Sequence, residues 1–350
     1  MLTGTTLESY TVGPKIGAGA FGEIYAVRNA GDNKIFALKV EPLSNRRNIL
    51  ELEASVLKRL SPCPYFPKFR IFGRTSTYSW LVMELLGPSL STVVKRLPTG
   101  RLSMSTGLRV ANSILCGLES MHKKGFIHRD VKPSNILLRR SREYPVAIID
   151  FGLSRVYVDR KTERHLPARA HPGFRGTAVY ASPNAHMHQD LSRRDDLISW
   201  FYLVIDVMAG PLPWKKLENR AEILHMKRRI SISNLSDQIA HQLTLIWDHI
   251  QSLGFTDAPN YAYIHDLLRE ACEQNNVHQT DEWDWHPQIL QMDGHDEFNS
   301  EQKKAYESSY TSEGTSKGAE YKSSTRRTRS RLDSRPLLPD KDEECCDCRI

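Results

Sequence analysis

His128-Arg129-Asp130-Val131-Lys132-Pro133-Ser134-Asn135 is followed further along the chain by Asp150-Phe151-Gly152. Asp130 can accept a proton, and Asn135 and Asp150 offer hard oxygen atoms of the kind that hold Mg²⁺. A carboxylate that orients an attacking hydroxyl, with oxygen ligands for a divalent cation, is what phosphoryl transfer from a nucleotide requires. Either string alone recurs by chance as a polar loop or a tight turn. Both together, in this order, point to that chemistry.

Upstream, Gly17-Ala18-Gly19-Ala20-Phe21-Gly22 lies between two short β-prone stretches, Tyr10 to Ile16 and Glu23 to Val27. A dinucleotide-binding turn uses the same glycine spacing but opens a helix. Here Glu23-Ile24-Tyr25-Ala26-Val27 alternates and carries β-branched and aromatic residues, so it reads as a strand. A glycine-rich hairpin lets backbone N–H groups approach phosphates with no Cβ in the way. Ile35-Phe36-Ala37-Leu38-Lys39-Val40 is the next apolar strand, and its lysine is costly there unless paired. Leu50 to Leu60 is helical by period, with Leu52, Val56, Leu57 and Leu60 on or near one face. Glu53 sits beside that face and is the expected partner of Lys39; Glu51, one residue before Leu52, points elsewhere. Such a pair would turn Lys39 toward the α- and β-phosphates.

Trp80-Leu81-Val82-Met83-Glu84-Leu85-Leu86 reads as a buried strand ending at Gly87-Pro88. With these parts assembled, the chain resembles a eukaryotic protein kinase, and more narrowly the casein kinase 1 group. Met83-Glu84-Leu85-Leu86-Gly87-Pro88-Ser89-Leu90, Gly176-Thr177-Ala178-Val179-Tyr180-Ala181-Ser182-Pro183-Asn184-Ala185-His186 and Ser192-Arg193-Arg194-Asp195-Asp196-Leu197 carry that narrower match. Within the group the tau-tubulin kinase branch fits best. That likeness rests on Gly173-Phe174-Arg175-Gly176-Thr177, Ser199-Trp200-Phe201-Tyr202, Leu212-Pro213-Trp214-Lys215-Lys216-Leu217 and Trp283-Asp284-Trp285. It extends over residues 8–287.

The resemblance implies an α+β, bilobal fold: a small N-lobe of antiparallel sheet with one main helix, and a larger, mainly helical C-lobe. It implies ATP and Mg²⁺ and a protein serine/threonine kinase activity on protein substrates. Asp130 would accept or orient the proton of the substrate hydroxyl, Lys132 would neutralise γ-phosphoryl oxygens, and Asn135 and Asp150 would hold Mg²⁺. Lys132, two residues after Asp130, resembles serine/threonine rather than tyrosine kinases. The nucleotide would lie against Ile16, Gly17, Gly19, Gly22, Ile24, Ala37, Lys39 and Glu53. Met83 would limit the depth of its pocket, and Glu84 to Leu86 would supply backbone contacts to adenine. Asp196 would brace the catalytic loop backbone. Because all these positions hold the required residue types, turnover is expected rather than a kinase-shaped scaffold.

One position departs from the group. The residue before Tyr180 is usually Arg, which helps form an anion site for acidic or phosphorylated substrates; here it is Val179. Cations are nevertheless frequent nearby, at Arg155, Arg160, Lys161, Arg164, Arg169 and Arg175. They are either a solvated basic loop or a means of recruiting acidic peptide segments, such as the acidic tubulin tails the resemblance suggests.

The formal net charge of +7 is modest. It comes with no array of stacking aromatics, so no nucleic acid is expected as partner. Nor do the first residues, Met1-Leu2-Thr3-Gly4-Thr5-Thr6, form a basic-then-apolar leader, and no run approaches membrane-spanning length. A cytoplasmic monomer is expected, with partial nuclear or peripheral-membrane residence left open. Cys63, Cys116 and Cys272 lie in apolar or helical stretches and read as reduced core thiols. His186 with His188, and His165 with His171, lack a third ligand and are not expected to bind metal.

Residues 1–86 are strand-rich and form the expected N-lobe. From 87 to 295 helical periodicity dominates, at Thr106 to His122, Leu197 to Met208, Ser236 to Leu253 and Tyr261 to Gln274. Gly210-Pro211 should end the second of these. Residues 296–350 are rich in Ser, Thr, Glu, Lys and Arg and read as a disordered tail, its hydroxyls interleaved with arginines from Ser323 to Ser330. Autophosphorylation there would weaken its basic charge. Cys345, Cys346 and Cys348 stand among the last residues, Cys345-Cys346-Asp347-Cys348-Arg349-Ile350. Asp347 occupies the place a prenylated cysteine would need, so the expected tether, if any, is S-acylation of the three thiols.

Overall fold

Period-2 alternation places six strands in one antiparallel sheet: β1 (Thr6–Leu7), β2 (Tyr10–Gly19), β3 (Gly22–Asn29), β4 (Ile35–Pro42), β5 (Phe69–Arg74) and β6 (Tyr78–Glu84), in the order β1-β2-β3-β4-β6-β5. The computed structural model describes residues 2–19, 22–44, 49–139, 141–159, 161–229 and 241–285. Ala20, Phe21, Arg160, the start of the helix expected from Ser236, and the whole tail with its cysteines lie outside the described residues.

In β4, the side chains of Phe36, Leu38 and Val40 join an apolar cluster with Tyr10, Val12, Tyr25, Val27, Trp80 and Val82. The opposite face of the same strand carries Ala37, Lys39 and Glu41 toward α1 (Ile49–Leu60). The Glu41 carboxylate accepts the Leu50 N–H at 2.7 Å, so a strand residue satisfies an orphan donor in the helix's first turn. Leu50, Ala54, Leu57 and Leu60 then pack into a second core that is continuous with the helical half of the molecule. β5 was not legible in the pattern. It is short and only half buried, and Gly73 is held there because an added Cβ would lie 2.2 Å from the Trp80 ring.

Beyond Glu84 the remaining elements are mainly helical: α2 (Leu90–Arg96), α3 (Met104–Lys123), α4 (Pro183–His186), α5 (Arg193–Met208), α6 (Arg220–Arg229), α7 (His241–Ser252) and α8 (Tyr261–Gln274). Between α3 and α4 run four short strands, β7 (Phe126–Ile127), β8 (Ile136–Leu138), β9 (Val146–Ile148) and β10 (Arg155–Val156). β8 pairs with β9, and β7 with β10. This is the α+β, bilobal architecture expected above.

The helix α5 is buried from Asp195 to Met208. Its Trp200 indole N–H donates to Ala111 O of α3 at 3.0 Å, so the one polar atom of a fully buried ring is satisfied. Cys63, Cys116 and Cys272 are buried thiols. Among the described residues no helix is long and apolar enough to cross a membrane.

Candidate active site

The pair expected from the sequence forms. Lys39 Nζ lies 2.6 Å from Glu53 Oε2 and 3.5 Å from Asp150 Oδ1, and Glu51 is exposed. Burial works to lower the Lys39 pKa, but the carboxylates of Glu53 and Asp150 outweigh it and hold the ammonium above its ordinary value. Strand register explains what surrounds it. Ile24 pairs with Lys39 across β3 and β4, and Lys39 pairs with Leu81 across β4 and β6. One row over, Ala26, Ala37 and Met83 stand opposite one another. These residues therefore share one face of the sheet, the one turned toward α1.

The glycines of the β2–β3 hairpin divide in role. A Cβ at Gly17 would come no nearer than 3.8 Å, to Ile24, and at Gly19 no nearer than 4.0 Å, to Gly22 O. Among the described residues, protein does not fill the space beside them. At Gly22 a Cβ would lie 2.0 Å from Val40 O, so strand packing alone requires glycine there. Ile16 is half buried near the end of β2. At the far end of β6, the Glu84 N–H is spent on Lys68 O at 2.9 Å, and the N–H of Gly87, after the buried Leu86, goes to Leu138 O at 2.9 Å.

The loop between β7 and β8 carries Asp130, Lys132 and Asn135. Lys132 Nζ donates to Asp130 Oδ2 at 2.7 Å and to Thr177 Oγ1 at 2.9 Å, while the Thr177 hydroxyl donates to Asp130 Oδ1 at 2.8 Å. Asn135 Nδ2 donates to Asp130 O at 2.9 Å, which turns its carbonyl oxygen into the atom able to bind a cation. Asp196, at the start of α5, accepts the N–H groups of His128 and Arg129, both at 2.7 Å, and bonds the His122 ring at 2.8 Å. Burial works to raise the Asp196 pKa, but its bond to His122 leads the contacts that hold it below the ordinary value. Arg129 sits at φ 70° and Asp150 at φ 68°, a left-handed backbone that costs free energy and persists only where neighbours hold it. For Arg129 the hold is the Asp196 carboxylate and the bond from its own Nε to Leu153 O at 2.6 Å.

His128 links the two loops. Its Nδ1 accepts the Asp130 N–H at 3.2 Å and its Nε2 bonds Ile149 O at 3.0 Å, which assigns the ring proton to Nε2. Phe151 packs edge-on against His128 and Phe66. Asp150 Oδ1 is buried with no hydrogen-bond partner among the described residues. Burial alone would raise its carboxyl; the ammonium groups of Lys39 and then Lys132 hold it below the ordinary range instead. The Ile149 N–H donates to Asn135 O at 3.0 Å, which joins the two loops, and an ionised carboxylate oxygen that accepts no hydrogen bond among the described residues suits a hard divalent cation. The unfilled space at Gly17 and Gly19 and the held ammonium of Lys39 suit a polyphosphate. The residues present therefore fit Mg·ATP.

In the sequence Thr177 stands out only as part of a matching string, and Arg129 only as part of the loop. The signal for Thr177 was its place after Gly176, whose φ of 96° brings the backbone so near that a Cβ would lie 2.7 Å from Arg129 O. Of the cations near Val179, Arg155 and Arg169 are committed to Asp190, at 2.6 and 2.8 Å. Val179 itself packs on the main core and its carbonyl accepts the Trp214 indole N–H at 2.8 Å.

Comparison with known proteins agrees with this geometry. The chain is 40% identical over 281 residues to a protein from Dictyostelium discoideum described as a probable serine/threonine-protein kinase, across 80% of this chain and 57% of that protein. The chain thus spans little more than half the length of that relative. The family model for the protein kinase domain matches residues 10–279. With the lobes, the paired lysine and the two loops in place, the chain belongs to the protein kinase domain family.

Proposed function

We propose that this chain is an active serine/threonine protein kinase that transfers the γ-phosphate of ATP to hydroxyls of protein substrates. The observation that carries the reading is the meeting of Asp130, Lys132 and Thr177 within 2.9 Å of one another, beside Asn135. In this reading Asp130 accepts the proton of the incoming hydroxyl, and Lys132, already at its carboxylate, neutralises charge on the transferring group. Lys39, held by Glu53, orients the α- and β-phosphates, with Gly17 and Gly19 leaving room for them. Ile16, Ile24, Ala37 and Met83 line the base, and Glu84 contributes its carbonyl, since its N–H is committed to Lys68. Asn135 and Asp150 hold Mg²⁺, which when bound supplies charge neutralisation at the phosphoryl oxygens. The protein's own contribution is positioning and preorganised charge.

The sequence strings quoted above support a place in the casein kinase 1 group, near the tau-tubulin branch. Val179 stands as an apolar side chain where that group has Arg, so phosphate priming of substrates is not needed in this reading. Among the described residues, Lys161, Arg164 and Arg175 are the activation-segment cations not committed to Asp190, and they would attract acidic peptides, including those of cytoskeletal proteins.

The test is γ-phosphate transfer from Mg·ATP by the full chain to an array of acidic Ser and Thr peptides, with and without an upstream phosphoserine. Asp130→Asn is expected to cost at least about 100-fold in kcat. Transfer that survives in Asp130→Asn would overturn the assignment of the base. A strong preference for the phosphorylated peptides would overturn the priming-free reading.

A further inference from the structure

Arg139, the residue after β8, has its donors spread over two segments, the end of β6 and the loop between α1 and β5. Its Nε and Nη2 form a fork on the two carboxylate oxygens of Glu84, each at 2.9 Å. Nη2 also donates to Phe66 O at 2.9 Å, and Nη1 donates to Pro64 O. Glu84 Oε2 in turn accepts the Lys68 N–H at 3.0 Å, while the Glu84 N–H returns to Lys68 O. The pair is largely removed from water, with side chains 14% and 22% exposed for Arg139 and Glu84. A planar guanidinium that meets a carboxylate at both oxygens fixes orientation as well as distance, which an ammonium cannot do.

The consequence lies in what stands between these anchors. Leu138 O accepts the Gly87 N–H, and Leu138 N–H donates to Pro88 O at 3.0 Å. Two consecutive residues of the C-lobe thus pin both ends of the short segment Leu85–Leu86: Leu138 through its backbone and Arg139 through its side chain on Glu84. The same β8 strand begins at Ile136, directly after Asn135.

We propose that Arg139 is a positioning residue for the purine of the nucleotide, acting through the Glu84 carboxylate to hold the backbone from Glu84 to Leu86 in its base-receiving arrangement. This rests on the reading of that segment as the purine contact. Arg139 touches neither substrate nor metal, so its removal acts on base affinity and leaves the chemical step alone.

The test uses the full chain, with ATP, adenosine and inorganic tripolyphosphate as separate probes in equilibrium binding, alongside KM for ATP and kcat. For Arg139→Ala the affinities for adenosine and ATP are expected to fall together by about tenfold, with kcat and tripolyphosphate affinity unchanged. Arg139→Lys is expected to recover only part of the loss. Should the alanine variant fail to fold, Arg139→Gln carries the same comparison. Adenosine bound as tightly by the variant as by the wild type would overturn the proposal, as would an equal loss for tripolyphosphate. Wild-type protein that binds tripolyphosphate but no adenosine would bring down the purine site itself and this proposal with it.

Discussion

At the scale of single residues, the pair Lys39–Glu53 shows how a functional charge and a structural one are bound together. Both side chains are buried, and burial pushes the Glu53 carboxyl up against the pull of Lys39. Removing Lys39 strands a carboxylate in a dry site, which typically costs about 3–5 kcal/mol. Lys39→Met should therefore lose both phosphoryl transfer and stability. Adding Glu53→Gln should return most of the stability and none of the activity. Chemical denaturation of the two variants, beside a transfer assay, checks this; a double variant as unstable as Lys39→Met would mean the loss is one of packing rather than charge.

At the scale of elements, α6 reaches under the segment that follows Gly176. Lys227 Nζ donates to Ala178 O at 2.8 Å and Ala181 O at 2.6 Å, below the Tyr202 and Trp214 rings. No carboxylate pairs with it among the contacts described; its titratable neighbour is His186, whose Nε2 lies 3.4 Å away. Burial pushes the Lys227 amine down to about 6. An unfolded lysine titrates near its ordinary value of 10.5, so between those limits the unfolded chain holds the additional proton. Stability should accordingly rise as pH rises from about 6, and Lys227→Met should flatten that limb. Urea midpoints measured from pH 6 to pH 9 decide the matter, and equal slopes in the two proteins would show that Lys227 stays charged when folded.

For the whole molecule, the segment after α8 closes the C-lobe by returning to the start of α3. Asp284 Oδ2 accepts the Ser103 N–H at 2.6 Å, Asp281 accepts the Ser105 hydroxyl at 2.6 Å, and the Arg109 guanidinium lies 3.8 Å over the Trp283 ring. Trp283 and Trp285 stack in parallel at 4.9 Å, and Trp285 is 4% exposed. Trp285→Ala should cost about 3–5 kcal/mol through lost burial and an unfilled cavity, with a lowered Tm. Since this strap is remote from Asp130, kcat below the unfolding range should be little changed. A wild-type Tm in the variant would mean the strap contributes contact without stability.

Local strings of residues already point to the proposed chemistry and carry the class of fold. Asp130, Asn135 and Asp150 stand on two short loops whose strings are local, and Lys39 in an apolar strand announced its need for a carboxylate; Glu53 followed from helical period. Contacts between residues far apart in the chain lie beyond such reading, because neither period nor spacing carries a signal for them. Thr177 reaches Asp130 because Gly176 lets the two backbones approach. Gly22 serves strand packing, Asp190 absorbs two of the cations near Val179, and Glu84 meets Arg139 across the two lobes. Each depends on where the chain returns in space, which is set by burial of the shared core rather than by any local pattern.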